Sequence, residues 1–412
     1  MKKLILFLAL ALLLCGCCAQ GATKIGLDRL NWSQSVDGIK FSGTAPASTT
    51  GALYNDSGTL KFNGSEIIAD TMTPFDGQVY KSGSDVILAA ANGTILVTTT
   101  NAAQAINYGI NHSLHSIYIH SGNYSITESI DLRTYACHLD GTGKDTILYG
   151  SVNPIINMVN TVSYYGDVGL SNLWIKGAGN RIYDGVRIGF VALDTELMRN
   201  VYISNCKDGI MISGTSSCFG NDYYSVDISE CKQGIVFNST GLTTTQRFWG
   251  GAVRASTMYG IKLQNSQVGH LFEGMIIEYN GDNTYPNVYM STTNGAYLCI
   301  GNIFRDCWFE DDTFMVAIGG TDSWVSPRMN VVENCHFVAK SIGVQAYKVI
   351  AGRRNVFKGN VLDSNGSSGA KIDTVATNAV NNIIVENVDD GAIVWSLTDA
   401  GTTTTKTPNY WS

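Results

Sequence analysis

The sequence predicts an all-β protein: a single-stranded, right-handed parallel β-helix with an N-terminal capping helix and a small β-rich N-terminal region. Three observations carry this reading. The segment Ile203-Ser204-Asn205-Cys206 recurs as Ile228-Ser229-Glu230-Cys231, Phe304-Arg305-Asp306-Cys307 and Val332-Glu333-Asn334-Cys335. Val253, Ile277, Phe357 and Ile384 fill the intervening places, giving a step of about 26 residues, the scale of one solenoid repeat. The place three residues later holds only small polar or thiol side chains: Cys206, Cys231, Ser256, Asn280, Cys307, Cys335, Asn360 and Asn387. In a β-helix each coil lies about 4.8 Å above the last, so such a column stacks as an internal ladder. Amides and hydroxyls bond from rung to rung, and Cys fills the volume of a small apolar group. Composition agrees, with 44 Gly, 6 Pro and 15% charged residues in short β-branched runs punctuated by Asn and Gly, without the 3.6-residue pattern of a helical solenoid.

The elements follow in chain order. Residues 1–19 carry Lys2 and Lys3, an apolar run from Leu4 to Leu14, and then Cys15-Gly16-Cys17-Cys18-Ala19, the pattern of an export signal too short for a spanning helix of about 20 residues. Leu14-Cys15-Gly16-Cys17 resembles a lipobox, which makes Cys17 the expected acylated residue; simple cleavage near Ala19 is the alternative. The protein is thus expected to be exported, either lipid-anchored at the cell surface or secreted. Residues 20–97 read as a β-rich stalk or oligomerisation region. Within them Ala45–Ser65 alternates strand signals around Asn-Asp-Ser-Gly and is similar to segments of viral tail fibres and surface fibres. Such segments are commonly trimeric, so a homotrimer is the expected assembly of a region too short to bury its own core. Residues 98–396 form the β-helix, opened by one helix over Asn101–Ile110 with an Asn cap and Ala102, Ala105, Ile106 and Ile110 on one side. Gly209, Gly234 and Gly260, each followed by Ile, are expected to supply left-handed backbone at a bend. Residues 397–412 are a Thr-rich tail.

The segments Ile117 to Ile126, with its Gly122-Asn123-Tyr124-Ser125-Ile126 turn, and Leu139-Asp140-Gly141-Thr142-Gly143-Lys144-Asp145-Thr146 resemble the opening of the pectate-lyase-like (pectin-lyase-fold) right-handed β-helix superfamily. The resemblance covers about Thr98 to Trp395. It implies the fold, but that superfamily includes lyases, hydrolases, tail spikes and adhesins, so it implies no single activity. The Asn-Thr-Asp, Gly-His-Gly and Arg-Ile-Lys segments of its polygalacturonases are absent, leaving only Asp311-Asp312, and the Arg-x-Pro-x-x-Arg segment of pectate lyases is absent too.

The chemistry is less explicit. A net charge of -7 excludes a nucleic-acid partner, which requires a basic surface. Seven cysteines beyond the signal lack CxxC spacing and propose no zinc site. Cys206 over Cys231 and Cys307 over Cys335 would lie within disulfide range, although inward stacking favours unbridged thiols. Ca²⁺ is a conceivable ligand of the acidic stretches 222–227 and 278–282, for which solvated turns are the competing reading; no cofactor is otherwise called for. One position beyond the inward place, Ser204, Ser229, Arg254, Glu278, Arg305, Glu333 and Lys358 should face out as an ion ladder, with Glu278 between Arg254 and Arg305. Trp308 and Glu310 should face out together, with His336 one coil on. An indole beside acids is a platform for a pyranose. The candidate substrate-binding residues are therefore Trp308, His336, Glu278 and Arg305, and the candidate catalytic carboxyls are Glu310, Asp311 and Asp312. A Trp covered by the next loop beside a solvated acidic turn is the competing reading, and the residues alone favour it. The leading expectation is a protein that binds, and as a hydrolase or lyase cleaves, a polysaccharide or surface glycan. A non-enzymatic structural or adhesive fibre is the alternative, and a viral tail-spike-like protein is third.

Overall fold

The computed structural model describes residues 75–389, apart from 134–135, 160–167, 190–194, 214–217, 240, 282–283, 294–296, 312–313, 321–326, 341–343, 364–370 and 375–378, together with 53–56, 59–62, 65–66, 396–399 and 405–406. The signal segment with Cys17, most of 20–74, Asp312 and most of the tail lie outside the described residues.

The chain divides into two units, 1–72 and 73–412. In the first, β1 (Leu53–Asp56), β2 (Thr59–Phe62) and β3 (Ser65–Glu66) form an antiparallel meander. In the second, β4 (Gly77–Ser82), β5 (Asp85–Ala90) and β6 (Ile95–Thr99) form another, and β4 runs parallel beside β7 (Ser116–Ile119). Val79, Val86 and Leu88 are buried in the solenoid core, so residues 73–97 are part of the solenoid unit and the division falls earlier than position 97. Helix α1 (Ala102–Asn111) closes this end. The Asn101 side chain accepts from the Ala103 N–H at 3.0 Å, and Ala102, Ala105, Ile106 and Ile110 are buried, which follows from the cap and the apolar stripe in the sequence.

Beyond the cap the chain winds as a parallel β-solenoid. The coil beginning at Thr243 is typical: Thr243–Thr244 in column D, Arg247–Trp249 in column A, Ala252–Arg254 in column B and Ile261–Gln264 in column C, with the next coil starting at Gln267–Val268. Corresponding strands stack in parallel register, Phe248 on Phe272 on Phe304 in column A and Val253 on Ile277 on Phe309 in column B. Column C is an eleven-stranded sheet. Side chains alternate, so each short strand buries one or two apolar residues and presents its neighbours outward. Tyr223, Phe248, Phe272 and Phe304 stack up the core with ring centroids 4.1, 5.1 and 4.5 Å apart, each pair adding about 0.5–1.5 kcal/mol beyond its burial.

The corners set this geometry. From column D to A the chain passes through one left-handed residue, among them Gly269, Gly301, Met329, Arg354 and Asn381, and the next residue enters a buried ladder. Asn330 donates its backbone N–H and its side-chain amide to Asn355 Oδ1 at 3.1 and 3.0 Å, and Asn355 does the same to Asn382 at 3.0 and 3.1 Å. Each side-chain amide also reaches a carbonyl one coil away, Asn330 to Cys299 and Asn355 to Pro327. A buried amide so engaged recovers the cost of leaving water, and the ladder offsets the strain of Met329 and Arg354 in a conformation that costs about 1–2 kcal/mol for a side-chain-bearing residue.

Three readings from sequence change here. The single inward column is two ladders: Cys206, Cys231, Ser256 and Asn280 follow column B, whereas Cys307, Cys335, Asn360 and Asn387 lie between columns A and B. The same short pattern occurs at both corners of one coil. Because the coil joining Ile277 to its true partner Phe309 is long, a fixed step slips from one corner to the other at Phe304. The charge column splits with it, since Glu278 stands between Arg254 and Glu310 while Arg305 stands between Glu273 and Glu333. Gly209 and Gly234 do not supply left-handed backbone, which falls instead on Asn205, Glu230 and Ala255. They are required for close approach: a Cβ on Gly209 would lie 2.6 Å from Ile228, and one on Gly234 would lie 2.3 Å from Val253. Neither stacked cysteine pair is bridged; Cys206 and Cys231 instead direct their thiols to the carbonyls of Ser204 and Ser229 at 3.3 and 3.5 Å.

His270 replaces asparagine in the D-to-A ladder. Its Nδ1 accepts from the Gln246 N–H at 3.1 Å and its Nε2 faces Gln267 Oε1 at 3.2 Å, so the folded chain holds the neutral ring, and complete burial pushes its titration down to about 3. The stability it contributes is complete above about pH 6.5 and is lost as acid charges the ring in the unfolded chain alone. Between pH 7 and pH 4 that loss is about 3 kcal/mol. Denaturant melts of His270→Asn should show a correspondingly shallower loss of stability over this range; equal slopes for the two proteins would refute the buried neutral ring. Asn355→Leu, which strands donors on Asn330 and removes the side-chain donor to Asn382 and Pro327, should cost on the order of 3 kcal/mol in the same melts at neutral pH.

Candidate functional site

The strand Trp308–Asp311 in column B carries the proposed sugar platform. Phe309 faces the core and stacks on Phe337 at 4.7 Å, so Trp308 and Glu310 point to the opposite side of the strand, where Trp308 is open and Glu310 is covered. Trp308 is 37% exposed, and His336, its partner on the next coil, lies against the indole with ring centroids 4.4 Å apart. Glu310 sits beneath, accepting from Trp308 Nε1 at 3.2 Å, from Lys340 Nζ at 2.9 Å and from the Tyr279 hydroxyl. Tyr279 reaches it from a corner, where it holds left-handed backbone. Burial alone would raise the Glu310 titration, but the hydrogen bonds from Tyr279, Lys340 and Trp308 outweigh it and hold the carboxyl below the usual carboxylate range.

The structure thus brings together Trp308, Glu310 and His336, with Glu278 on the rung before Glu310 and paired to Arg254 at 3.5 Å. It does not bring Arg305 there. That guanidinium belongs to column A, 2.8 Å from Glu333 and 3.6 Å from Glu273, with Lys358 a further 3.0 Å from Glu333. Arg305, Glu333 and Lys358 thus form a surface ion ladder, but with Glu273 and not Glu278 as the neighbour of Arg305, and exposed pairs of this kind contribute about 0–1 kcal/mol each. Asp311 lies on the opposite side of the strand from Glu310 and is buried, so those two carboxyls do not face one ligand. Glu278 and Glu310 project from rungs about 4.8 Å apart, near the spacing of a retaining glycosidase pair. That chemistry also needs one carboxyl that holds a proton; three donors keep Glu310 ionised, which bars it from the acid's part, and Glu278 is paired with Arg254. Asp222, in one of the acidic stretches considered for Ca²⁺, is engaged by Arg247 at 2.7 Å and Trp249 Nε1 at 3.1 Å. Among the described residues no three His, Cys, Asp or Glu side chains gather as a metal site.

Two groups escaped the sequence reading. On column B, Trp174, Tyr202 and Asp227 occupy the same outward register position as Trp308, on earlier coils. They line a cavity of about 250 Å³ together with Lys144, Ser229 and Arg254. Lys144 Nζ lies 4.2 Å from the Tyr202 ring centre, and Trp174 Nε1 donates to Ser204 at 2.9 Å. Extending the repeat one coil back from Ile203 to Ile175 exposes the signal, since Trp174 and Tyr202 then fall in one column. On column C, Asp184 and Asp208 lie on adjacent coils, both fully buried. Arg187 pairs with Asp184, and Lys207 Nζ lies 3.5 Å from Asp184 and 3.3 Å from Asp208. Burial first, and then the Asp184 charge, push Asp208 above the usual carboxylate range. Two buried carboxyls side by side are the raw material of acid–base chemistry, but Arg187 and Lys207 close over them and leave no surface for a ligand.

No family model and no curated protein matches the chain. Solved structures similar to it include ORF18 of Geobacillus virus E2, at 14% identity and TM-score 0.40 over 76% of this chain and 58% of that one. The catalytic domain of GH87 alpha-1,3-glucanase in complex with nigerose is similar at 13% identity and TM-score 0.48, over 74% and 67% of the two chains. DFA-IIIase from Arthrobacter chlorophenolicus A6 is similar at 11% identity and TM-score 0.41, over 73% and 83%. This chain therefore spans little more than half of the viral protein.

Lys340→Met removes one of the three donors on Glu310 without touching the strand. The Glu310 carboxyl, followed by carbon-13 NMR, should then titrate at higher pH; an unmoved midpoint would refute the ion pair as a cause of its depression.

Proposed function

We propose that the protein is an exported, cell-surface or secreted glycan-binding β-solenoid of the pectate-lyase-like kind, and that it binds a polysaccharide at the Trp308 platform without using Glu310 to cleave it. One observation carries the reading. A partly exposed indole is fixed at its Nε1 by a buried carboxylate that is itself immobilised, so the ring presents a pre-set apolar face of the kind on which a pyranose ring stacks. Export rests on the Met1–Gln20 sequence, and the lipid anchor on Cys17.

The mature protein should bind one or more carbohydrates on a glycan array. Trp308→Ala should weaken that binding about tenfold or more, whereas Lys358→Ala, in the column A ladder, should leave it unchanged. Reducing-end assays on any ligand should show no product. Product formation abolished by Glu310→Gln, or by Asp208→Asn, would replace the binding reading with a hydrolytic one at the corresponding site.

A further inference from the structure

The Trp308 platform and the Trp174 cavity belong to one surface. In column B the outward register runs Trp174, Tyr202, Asp227, Ala252, Ile276, Trp308, His336, an aromatic group at each end with Asp227, a buried Ala252 and Ile276 between. A second outward row beside it runs Lys176, Ser204, Ser229, Arg254, Glu278, Glu310. Trp174 and Trp308 are five rungs apart, which at about 4.8 Å per rung is roughly 24 Å. Ile276, on the rung before Trp308, is exposed, so the strip between the anchors is open next to the platform. The charges along it are mixed, with Lys144, Lys176, Arg254 and Lys340 among Asp227, Glu278 and Glu310, and several already pair with one another. A polyanion or polycation would meet its own sign somewhere along such a track, whereas a hydroxyl-rich uncharged chain finds donors and acceptors throughout.

We propose, resting on the glycan-binding reading above, that the ligand is an uncharged polysaccharide lying parallel to the solenoid axis. One stretch of it stacks at Trp308 and His336, and another enters the cavity lined by Lys144, Trp174, Tyr202, Asp227 and Arg254. The protein thereby recognises an internal run of a polymer and not a chain end. Two weak contacts on one rigid strip act as a bivalent site, so affinity depends on whether the ligand spans both.

The test uses the full mature chain, the neutral glycan selected by the array, and a length series of oligosaccharides of the same repeat, with affinity measured by calorimetry. Affinity should rise steeply once the oligosaccharide spans roughly 24 Å and then level off. Trp174→Ala and Lys144→Ala should each weaken the long ligand by about tenfold while leaving short ones bound at Trp308. Raising the salt concentration should change the affinity little. Lys144 is exposed, so its substitution tests the cavity even if Trp174→Ala proves unstable. Affinity independent of length, or loss on Trp308→Ala with none on Trp174→Ala and Lys144→Ala, would overturn the two-anchor track and leave the Trp308 platform standing. An array returning only acidic glycans would overturn the uncharged ligand in the same way. Failure to bind any glycan would remove the binding reading itself.

Discussion

The amide ladder at the corners is the interaction on which the remainder depends. Each coil of this solenoid contributes only a few buried apolar residues, and backbone pairing between coils would by itself permit sliding. Asn330, Asn355 and Asn382 remove that freedom, because an amide fully buried with two donors and a doubly used acceptor has one position in which nothing is left unpaired. Once that position is fixed, the residues on either side of each strand are fixed too. The indole of Trp308, the carboxylate of Glu310 and the ring of His336 are neighbours because the corners on either side of column B hold two successive coils in step.

The outward surface shows how differently the same scaffold treats charge. In column A, Glu273, Arg305, Glu333 and Lys358 alternate and satisfy one another, which makes a solvated wall. In column C the carboxyls of Asp184 and Asp208 are sealed beneath Lys207 and Arg187. In column B charges are interleaved with partly open aromatic rings over the whole run from Trp174 to His336, whereas in column A the rings are confined to Tyr224 and Trp249 beside Arg199. The contrast cannot come from backbone geometry, which is similar in the three columns; it comes from which side chains the sequence places at equivalent rungs.

The repeat was legible in the sequence because small side chains at a corner are a strong constraint, and the helix cap at Asn101 was legible for the same local reason. What was not legible was which corner a given residue occupies. Cys206 and Cys307 follow the same short pattern, and only long-range register separates them; a coil that gains residues between columns C and D carries no local mark. Arg305 was therefore assigned to the wrong row and Trp174 was overlooked, whereas Trp308, Glu310 and His336 were found because they lie within two coils and need no long count. The ladder through Asn221, Gln246, His270 and Asn302 was missed because its rungs differ in residue type while sharing one task.

The unequal coils have a consequence of their own. Extra residues collect between columns B and C and between columns C and D, while the D-to-A and A-to-B corners stay short. Insertions there lengthen a loop without displacing any rung of column B, and adding or removing an entire coil changes the track by one rung. The scaffold thus behaves as a gauge whose graduations are coils: over evolution its reach can change in whole steps, while its loops vary without altering the measure.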